Sequence, residues 1–406
     1  MISKVGIVLQ AASTGGWRFT HALCRGIREK YPRTNITVYL DESVSQAFAL
    51  DDPISAFHHL QVQVETFVHP LPVKKRNGLR YLASRPKYWK HERKLLRQRE
   101  SMEQKDLIFY AWPYDINYPD LIRPVAFIPH DFFYLHFMGS FQVTNAVSTH
   151  RLREHKRWME LGYPVVSTRF IASELESAFP NHKNRATVIH LSRLSQTSRL
   201  SDPETETIIH SLGLRDDYIL NINNASYHKN LGQVLAAFYY LTQDYPQLKL
   251  IVCGYGTEGV QGRMNTPNYL DLNDTHPNVL CLGMRSDQEI AALIQRAKLV
   301  VNASLYEAGN GSGLDAWYLG TPVAMSNIPP FLEQIEELGV RATTFNPRCC
   351  FEMRQAMQTI LASPSIAQEM VATSRASMEK YSWDVIAEKY MTFFEQSIRD
   401  HNAKST

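Results

Sequence analysis

The sequence predicts an α/β protein made of two doubly wound parallel sheets facing each other across a cleft. Three observations predict it. Short β-branched or apolar runs alternate with longer amphipathic stretches, as in strands joined by crossover helices. That rhythm fades over residues 191–217, a Ser-, Arg-, Asp- and Glu-rich stretch of weak periodicity, and then restarts. Runs such as residues 248–253 and 299–303 are almost wholly apolar, as strands buried on both faces are. Each half is therefore read as a Rossmann-like domain, residues 1–200 and 201–380. Residues 381–406 are expected to form a C-terminal helix that returns to the first domain.

In the first half, the apolar run 4–9 reads as a strand. It ends in the small, polar loop 10–16, and a helical pattern follows from Trp17 to about Lys30. Further strands are expected at 36–40, 62–68, 107–111, 125–129, 165–167 and 186–191, with helices at 151–161 and 171–179. Residues 191–217 read as an irregular connection. In the second half, strands are expected at 218–223, 248–253, 279–283, 299–303 and 323–326. Helices are expected at 230–242, 286–297, 312–319, 330–338, 350–362, 366–380 and 383–399. Ser286 with Glu289 three residues on is a capping-box pattern, and Pro330 stands near a helix start, where its missing N–H costs little.

Composition narrows the function. Lys plus Arg number 43 against 40 Asp plus Glu, a net charge of +3, too mild to argue for nucleic acid. No apolar run reaches the ~18–20 residues that span a bilayer, and the first nine residues are too short to be a secretory signal. The five cysteines, Cys24, Cys253, Cys281, Cys349 and Cys350, are odd in number and lack metal-ligand spacing, so neither a disulfide framework nor a zinc site is expected. A cytoplasmic protein is expected.

In open α/β sheets, ligands bind at the carboxyl ends of the strands, and two constellations stand there. The first runs from Ser304 through Glu307, Gly309, Gly311, Ser312, Gly313, Leu314 and Asp315 to Val323: strand, Gly-rich loop, helix. Such a helix start offers free N–H groups and partial positive charge to a diphosphate. Glu307 and Asp315 are poor phosphate ligands but good acceptors for sugar hydroxyls. The second constellation, Asn223 to Asn230, holds Lys229, whose ammonium suits a leaving diphosphate. Taken alone, Glu307 and Asp315 read equally well as a surface carboxylate and a helix-dipole partner, and Lys229 as a solvated loop lysine.

At these residues the sequence resembles a family 4 retaining glycosyltransferase of the GT-B fold. That family carries a Glu, seven residues and a second Glu; here Glu307 and Asp315 stand at that spacing. Lys229-Asn230, Gly320-Thr-Pro-Val323, Ser326–Glu333 and Tyr381-Ser-Trp383 add to the likeness, as do Gly15-Gly16 and His130-Asp131 in the first half. The resemblance implies transfer of a sugar from a nucleotide-diphosphate donor to a hydroxyl of a glycan or lipid-linked acceptor, with retained anomeric configuration, in surface polysaccharide or glycan assembly. It implies that Glu307 binds donor sugar hydroxyls and that Asp315 takes the ribose diol. Gly313 and Leu314 would offer amides to the diphosphate, with Ser312 beside them and Lys229 pairing with it. Gly15 and Gly16 would close over the phosphates from the first loop of the other domain, and His130 would lie against the donor sugar near the reacting carbon. No resident cofactor or metal is expected. The sequence departs from the family where Asp315 is one methylene shorter than Glu, and where Asn224 occupies a position often held by Arg. Diphosphate binding would then lean on Lys229 or an arginine such as Arg18.

Other signals are weaker. Gly254 to Gly259 fits a dinucleotide loop pattern but opens no clear helix, and is read as lining the nucleotide side. Arg285 either borders the base or is an exposed residue before a helix. The His58-His59 pair lacks metal spacing, and His136, amid aromatics, is expected in a core. Residues 74–99 carry eleven cations against Glu92 alone, interleaved with Tyr81, Tyr88 and Trp89. That stretch suits peripheral contact with an anionic membrane surface or an anionic acceptor, or is a solvated insertion. Two other readings keep the architecture: a GT-B nucleotide-sugar epimerase, and a degenerate, non-catalytic glycosyltransferase-like binding subunit.

Overall fold

The computed structural model describes residues 2–9, 14–41, 53–69, 79–111, 113, 116–137, 149–193, 198–259 and 277–405. Residues 10–13 of the first loop and 74–78 of the basic segment lie outside these.

The first domain carries strands β1 (Lys4–Leu9), β2 (Asn35–Asp41), β3 (Gln63–Phe67), β4 (Leu107–Tyr110), β5 (Val125–Phe127), β6 (Tyr163–Val166) and β7 (Thr187–Val188). Between them run α1 (Thr14–Lys30), α2 (Pro53–His59), α3 (Leu79–Glu103), the single turn α4 (Phe133–His136), α5 (Thr149–Leu161) and α6 (Arg169–Ala178). The strands pair in the order β3-β2-β1-β4-β5-β6-β7, every pairing parallel.

The second domain opens with α7 (Asp202–Ser211) and continues through β8 (Tyr218–Ile222), α8 (Leu231–Leu241), β9 (Lys249–Cys253), β10 (Val279–Gly283), α9 (Asp287–Arg296) and β11 (Leu299–Asn302). There follow α10 (Gly311–Leu319), β12 (Val323–Ser326), α11 (Pro329–Leu338), β13 (Thr343–Phe345), α12 (Cys350–Ala362), α13 (Pro364–Met378) and α14 (Trp383–Ser405). This sheet is also all parallel, in the order β10-β9-β8-β11-β12-β13. Each sheet reverses its strand order beside its first strand, at β1/β4 and β8/β11. Such reversals open the crevices in which α/β sheets bind ligands.

Both sheets are covered on two faces, which is why their strands read as apolar runs. In the first domain, Leu23 and Ile27 of α1 pack with Ile386, Tyr390 and Phe394 of α14 over one face. The two helices cross closely at Gly26, where an added Cβ would stand 2.3 Å from the Trp383 carbonyl oxygen. Trp158, Phe127 and Tyr110 fill the opposite face.

Residues 191–217 are not irregular throughout. Helix α7 forms there because Ser201 accepts from the Glu204 N–H while Glu204 reaches back to Ser201, a complete capping box with Pro at the helix start. Its polar composition hid a short helix that buries Thr205 and Ile209. Four more elements escaped the sequence reading: α2, α3, the single turn α4 and the short strand β13.

Candidate active site

The carboxyl ends of β8 and β11 bring Lys229 and Glu307 together. Lys229 follows β8 in a 3₁₀ turn, Tyr227–Lys229. The turn stops at Asn230, whose φ of 60° is left-handed and suits Asn better than most residues. The Asn230 side chain donates to the carbonyls of Ala303 (3.0 Å) and Pro347 (2.6 Å), tying the turn to the end of β11. The Lys229 ammonium pairs with Glu307 Oε1, both side chains largely withdrawn from solvent. Ser304 donates to the same oxygen at 2.7 Å, and the Ser304 N–H is held by Asn302 Oδ1 at 3.2 Å.

A chain of buried amides connects β11 to the start of α10. Asn302 Nδ2 donates to Asn310 Oδ1 at 2.8 Å, and that oxygen accepts the Gly313 N–H at 2.9 Å as the helix cap. The Asn310 N–H donates to Gln334 Oε1 at 2.9 Å. Glycine at 313 leaves room for that cap, because a Cβ there would stand 2.0 Å from Asn310 Nδ2 and displace it. This corrects one expectation. The Gly313 amide is taken by its cap and the Leu314 amide by the Asn310 carbonyl at 3.0 Å. The N–H groups left to face an anion at this helix start are those of Gly311 and Ser312.

Asp315 lies in the next turn and is 5% exposed. Its charge reaches Arg193, whose guanidinium lies 3.8 Å from the centre of the Tyr318 ring. Arg193 belongs to the connection between the domains and was not singled out in the sequence.

The first domain supplies the facing wall. His130 stands after β5 with φ of 57°, and its Nε2 lies 2.5 Å from the Ala111 carbonyl oxygen, which fixes that nitrogen as the proton carrier. Burial pushes the His130 imidazole down to about 3, so it stays neutral. Burial also pushes the neighbouring Asp131 up to about 6; the Phe133 N–H and Lys229 oppose the shift, and Glu307 and Glu174 add to it. The fields of Glu307 and Lys229 on Asp131 place that carboxyl close to the pair from the other domain.

Tyr306 joins the two walls beside Glu307. Its hydroxyl donates to Glu174 Oε2 and accepts the Phe132 N–H at 3.1 Å, although the residue is only 6% exposed. Ser167 donates to the Ala308 carbonyl at 2.8 Å. Deeper in, Glu333 of α11 accepts the Arg169 (2.6 Å) and Phe170 (3.1 Å) amides at the start of α6 and meets His190 Nε2 at 2.9 Å. Sequence reading named no role for Tyr306, Glu174, Ser304, Asn302 or Asn310. Ser304, Asn302, Tyr306 and Asn310 carry a positional signal only, at or after the end of β11, and Glu174, inside α6, carries none.

The remaining predicted residues are less central. Gly15 and Gly16 lie in the first turn of α1 rather than on a loop, because the helix starts at Thr14. Arg18, one turn further on, pairs with Asp287 of the second domain, which ties it to another carboxylate. Asn224 uses its Oδ1 to close a local turn with the Ser226 N–H at 3.1 Å. Arg285 turns back to the Leu282 carbonyl (3.0 Å from Nε) and lies 3.6 Å from Glu289. His136 is not in a core: its side chain is 46% exposed, and its Nε2 meets Glu174 at 2.5 Å beside the Tyr306 ring. His58 and His59 are exposed.

Residues 204–377 match the family model described as glycosyl transferases group 1. A serotype-specific mannosyltransferase, WbdA of Escherichia coli, is 25% identical over 170 residues, 42% of this chain and 20% of that protein. The chain thus spans about a fifth of that relative's length. Among solved structures, Anabaena HepE in complex with UDP-glucose aligns with a TM-score of 0.62 at 16% identity, covering 98% of this chain and 99% of that one. WaaG, a glycosyltransferase involved in lipopolysaccharide biosynthesis, aligns with a TM-score of 0.67 at 13% identity, covering 95% and 98%. At these identities the structures speak for the fold alone, which is GT-B. Residues 204–377, in the second domain, thus match the glycosyl transferases group 1 model, and the whole chain has the GT-B fold.

Proposed function

We propose that this protein transfers a sugar from a nucleotide-diphosphate sugar to a hydroxyl of a glycan or lipid-linked acceptor, with retention, in polysaccharide or glycan assembly. The observation that carries the reading is the Lys229–Glu307 pair at the carboxyl edge of the second sheet, beside the start of α10 and opposite His130 and Asp131. Donor sugar hydroxyls bind Glu307, and the ribose diol binds Asp315. The donor's diphosphate lies at the Gly311 and Ser312 amides. Lys229, whose charge Glu307 holds in place, turns to the leaving phosphate as the glycosidic bond breaks. Neutral His130 donates its Nε2 proton to the Ala111 carbonyl and presents its ring to the sugar. The leaving phosphate takes the acceptor proton. The charge that develops is met by Lys229 and helix amides, so the reading assigns no metal and no resident cofactor. The cleft excludes water that would hydrolyse the donor.

A thermal-shift panel of nucleotide sugars tests this, since a ligand bound only by the folded state raises its melting temperature. The expected result is a shift with one nucleotide family, unchanged by EDTA, and nucleotide release that requires an acceptor. Donor consumption without acceptor marks an epimerase, and no shift with any nucleotide marks a binding subunit; either result overturns the reading.

A further inference from the structure

Helix α3 is longer than its place in the first domain requires. Its 25 residues make about 37 Å at ~1.5 Å per residue. The strand that follows, β4, has four residues, roughly 13 Å. Its C-terminal half is anchored. Met102 is buried. Gln98 accepts the Val68 N–H at 2.6 Å and donates to the Val68 carbonyl at 3.3 Å. His91 Nε2 lies 2.9 Å from the His69 carbonyl oxygen. Val68 and His69 directly follow β3, so α3 passes the carboxyl edge of the sheet between Gln98 and His91. The helix from Leu79 to His91, about 18 Å of path, continues past that edge. The same edge carries His130 and Asp131 towards the Glu307 loop.

The face of α3 turned from the protein has a distinct composition. His91, Leu95, Gln98 and Met102, spaced four, three and four, form the inward stripe. On the opposite side Trp89 is 60% and Leu96 57% exposed. Lys90, Arg93, Lys94 and Arg97 are exposed around them, and none forms an ion pair with a described residue. A soluble polyanion would need only the cations. A large indole and a leucine set among them fit a surface that is anionic outside and apolar beneath.

We propose that α3 docks the protein on an anionic lipid surface: Trp89 and Leu96 enter the headgroup layer, and Lys90, Arg93, Lys94 and Arg97 pair with lipid phosphates. The cleft then opens beside that surface, where a lipid-linked acceptor lies. The docking stands on the helix alone; only the acceptor's place rests on the sugar-transfer reading.

Co-sedimentation with vesicles tests it, using 70:30 phosphatidylcholine:phosphatidylglycerol against pure phosphatidylcholine. The expected result is binding to the anionic vesicles alone, released by 1 M salt, where the screening length falls to about 3 Å. R93Q/R97Q should weaken binding about thirtyfold, from the usual gain per cation at an anionic surface, and W89S about tenfold. Both variants should keep the wild-type melting temperature and its nucleotide shift, which separates failed docking from failed sugar transfer. Undiminished binding by either variant, or binding of soluble polyphosphate with none to vesicles, overturns the proposal.

Discussion

Replacing Gly313 by Ala puts the candidate site under the sharpest steric test the structure offers. The new methyl would lie 2.0 Å from Asn310 Nδ2 and 2.6 Å from its Cγ, so the Asn310 side chain must leave. Losing that cap costs about 1 kcal/mol. It also strips Asn302 Nδ2 of the nearer of two acceptors, 2.8 Å against 3.3 Å to Ser312 Oγ, in a residue 2% exposed, and one buried N–H left unpaired costs about 1–3 kcal/mol. The helix propensity gained by Ala returns less than about 1 kcal/mol, so the net loss is about 1–3 kcal/mol. Gly15→Ala is the matched control, because a Cβ at Gly15 meets nothing within 4 Å. Urea unfolding of both variants, with and without the nucleotide that stabilises the wild type, reads the two effects together. Gly313→Ala should lower the midpoint and weaken nucleotide binding at least tenfold, because the displaced cap carries the Gly311 and Ser312 amides with it. Gly15→Ala should leave the fold intact. Wild-type stability and binding in Gly313→Ala would refute the assignment of this helix start to the nucleotide.

Other predictions are as direct. Glu307→Gln removes the carboxylate that holds Lys229; turnover should fall at least a hundredfold while circular dichroism stays native, and near-normal turnover would sink the role given to Glu307. Tyr306→Phe leaves the buried Phe132 N–H without the Tyr306 hydroxyl and Glu174 with His136 but without that hydroxyl, so stability in urea should drop by about 1–3 kcal/mol; a loss under about 0.5 kcal/mol would show that this contact does not join the domains. His130 is held near 3 against its ordinary 6.5, so between those values the unfolded chain binds the extra proton and stability falls as pH falls. Asp131, raised from 3.8 to about 6, works oppositely, its native form holding the proton, so His130→Asn should flatten the acid limb of a stability–pH curve. Asn also tolerates the left-handed backbone at 130. An acid limb unchanged in that variant would remove His130 from the account.

The sequence made the fold legible because parallel strands buried on both faces must be apolar throughout, and runs such as β9 and β11 keep that pattern at any distance from their partners. The boundaries of β8, β10 and β12 were equally plain. What failed were elements whose signal is weak by nature: α7 is polar on most of its surface, β13 has three residues, and α3 is rich in charge, with an inward stripe of His91, Leu95, Gln98 and Met102 that mixes polar and apolar residues so that only packing reveals it. The site divides along the same line. Glu307 and Lys229, which the fold pairs, could be picked out because each follows a strand in a patterned string. Tyr306, Glu174 and Arg193 could not, because each acts on a residue far along the chain: Tyr306 reaches Glu174 across 132 positions. Arg193 illustrates the cost of that blindness. The sequence shows an uncharged Asn224 where a guanidinium would serve a diphosphate, while the fold brings a guanidinium from the inter-domain connection onto Tyr318, within the field of Asp315. Arg193 is therefore the guanidinium to replace: loss of the nucleotide-induced thermal shift in Arg193→Gln would put a cation in the site that the motif around Asn224 lacks, and an unchanged shift would leave Asn224 uncompensated.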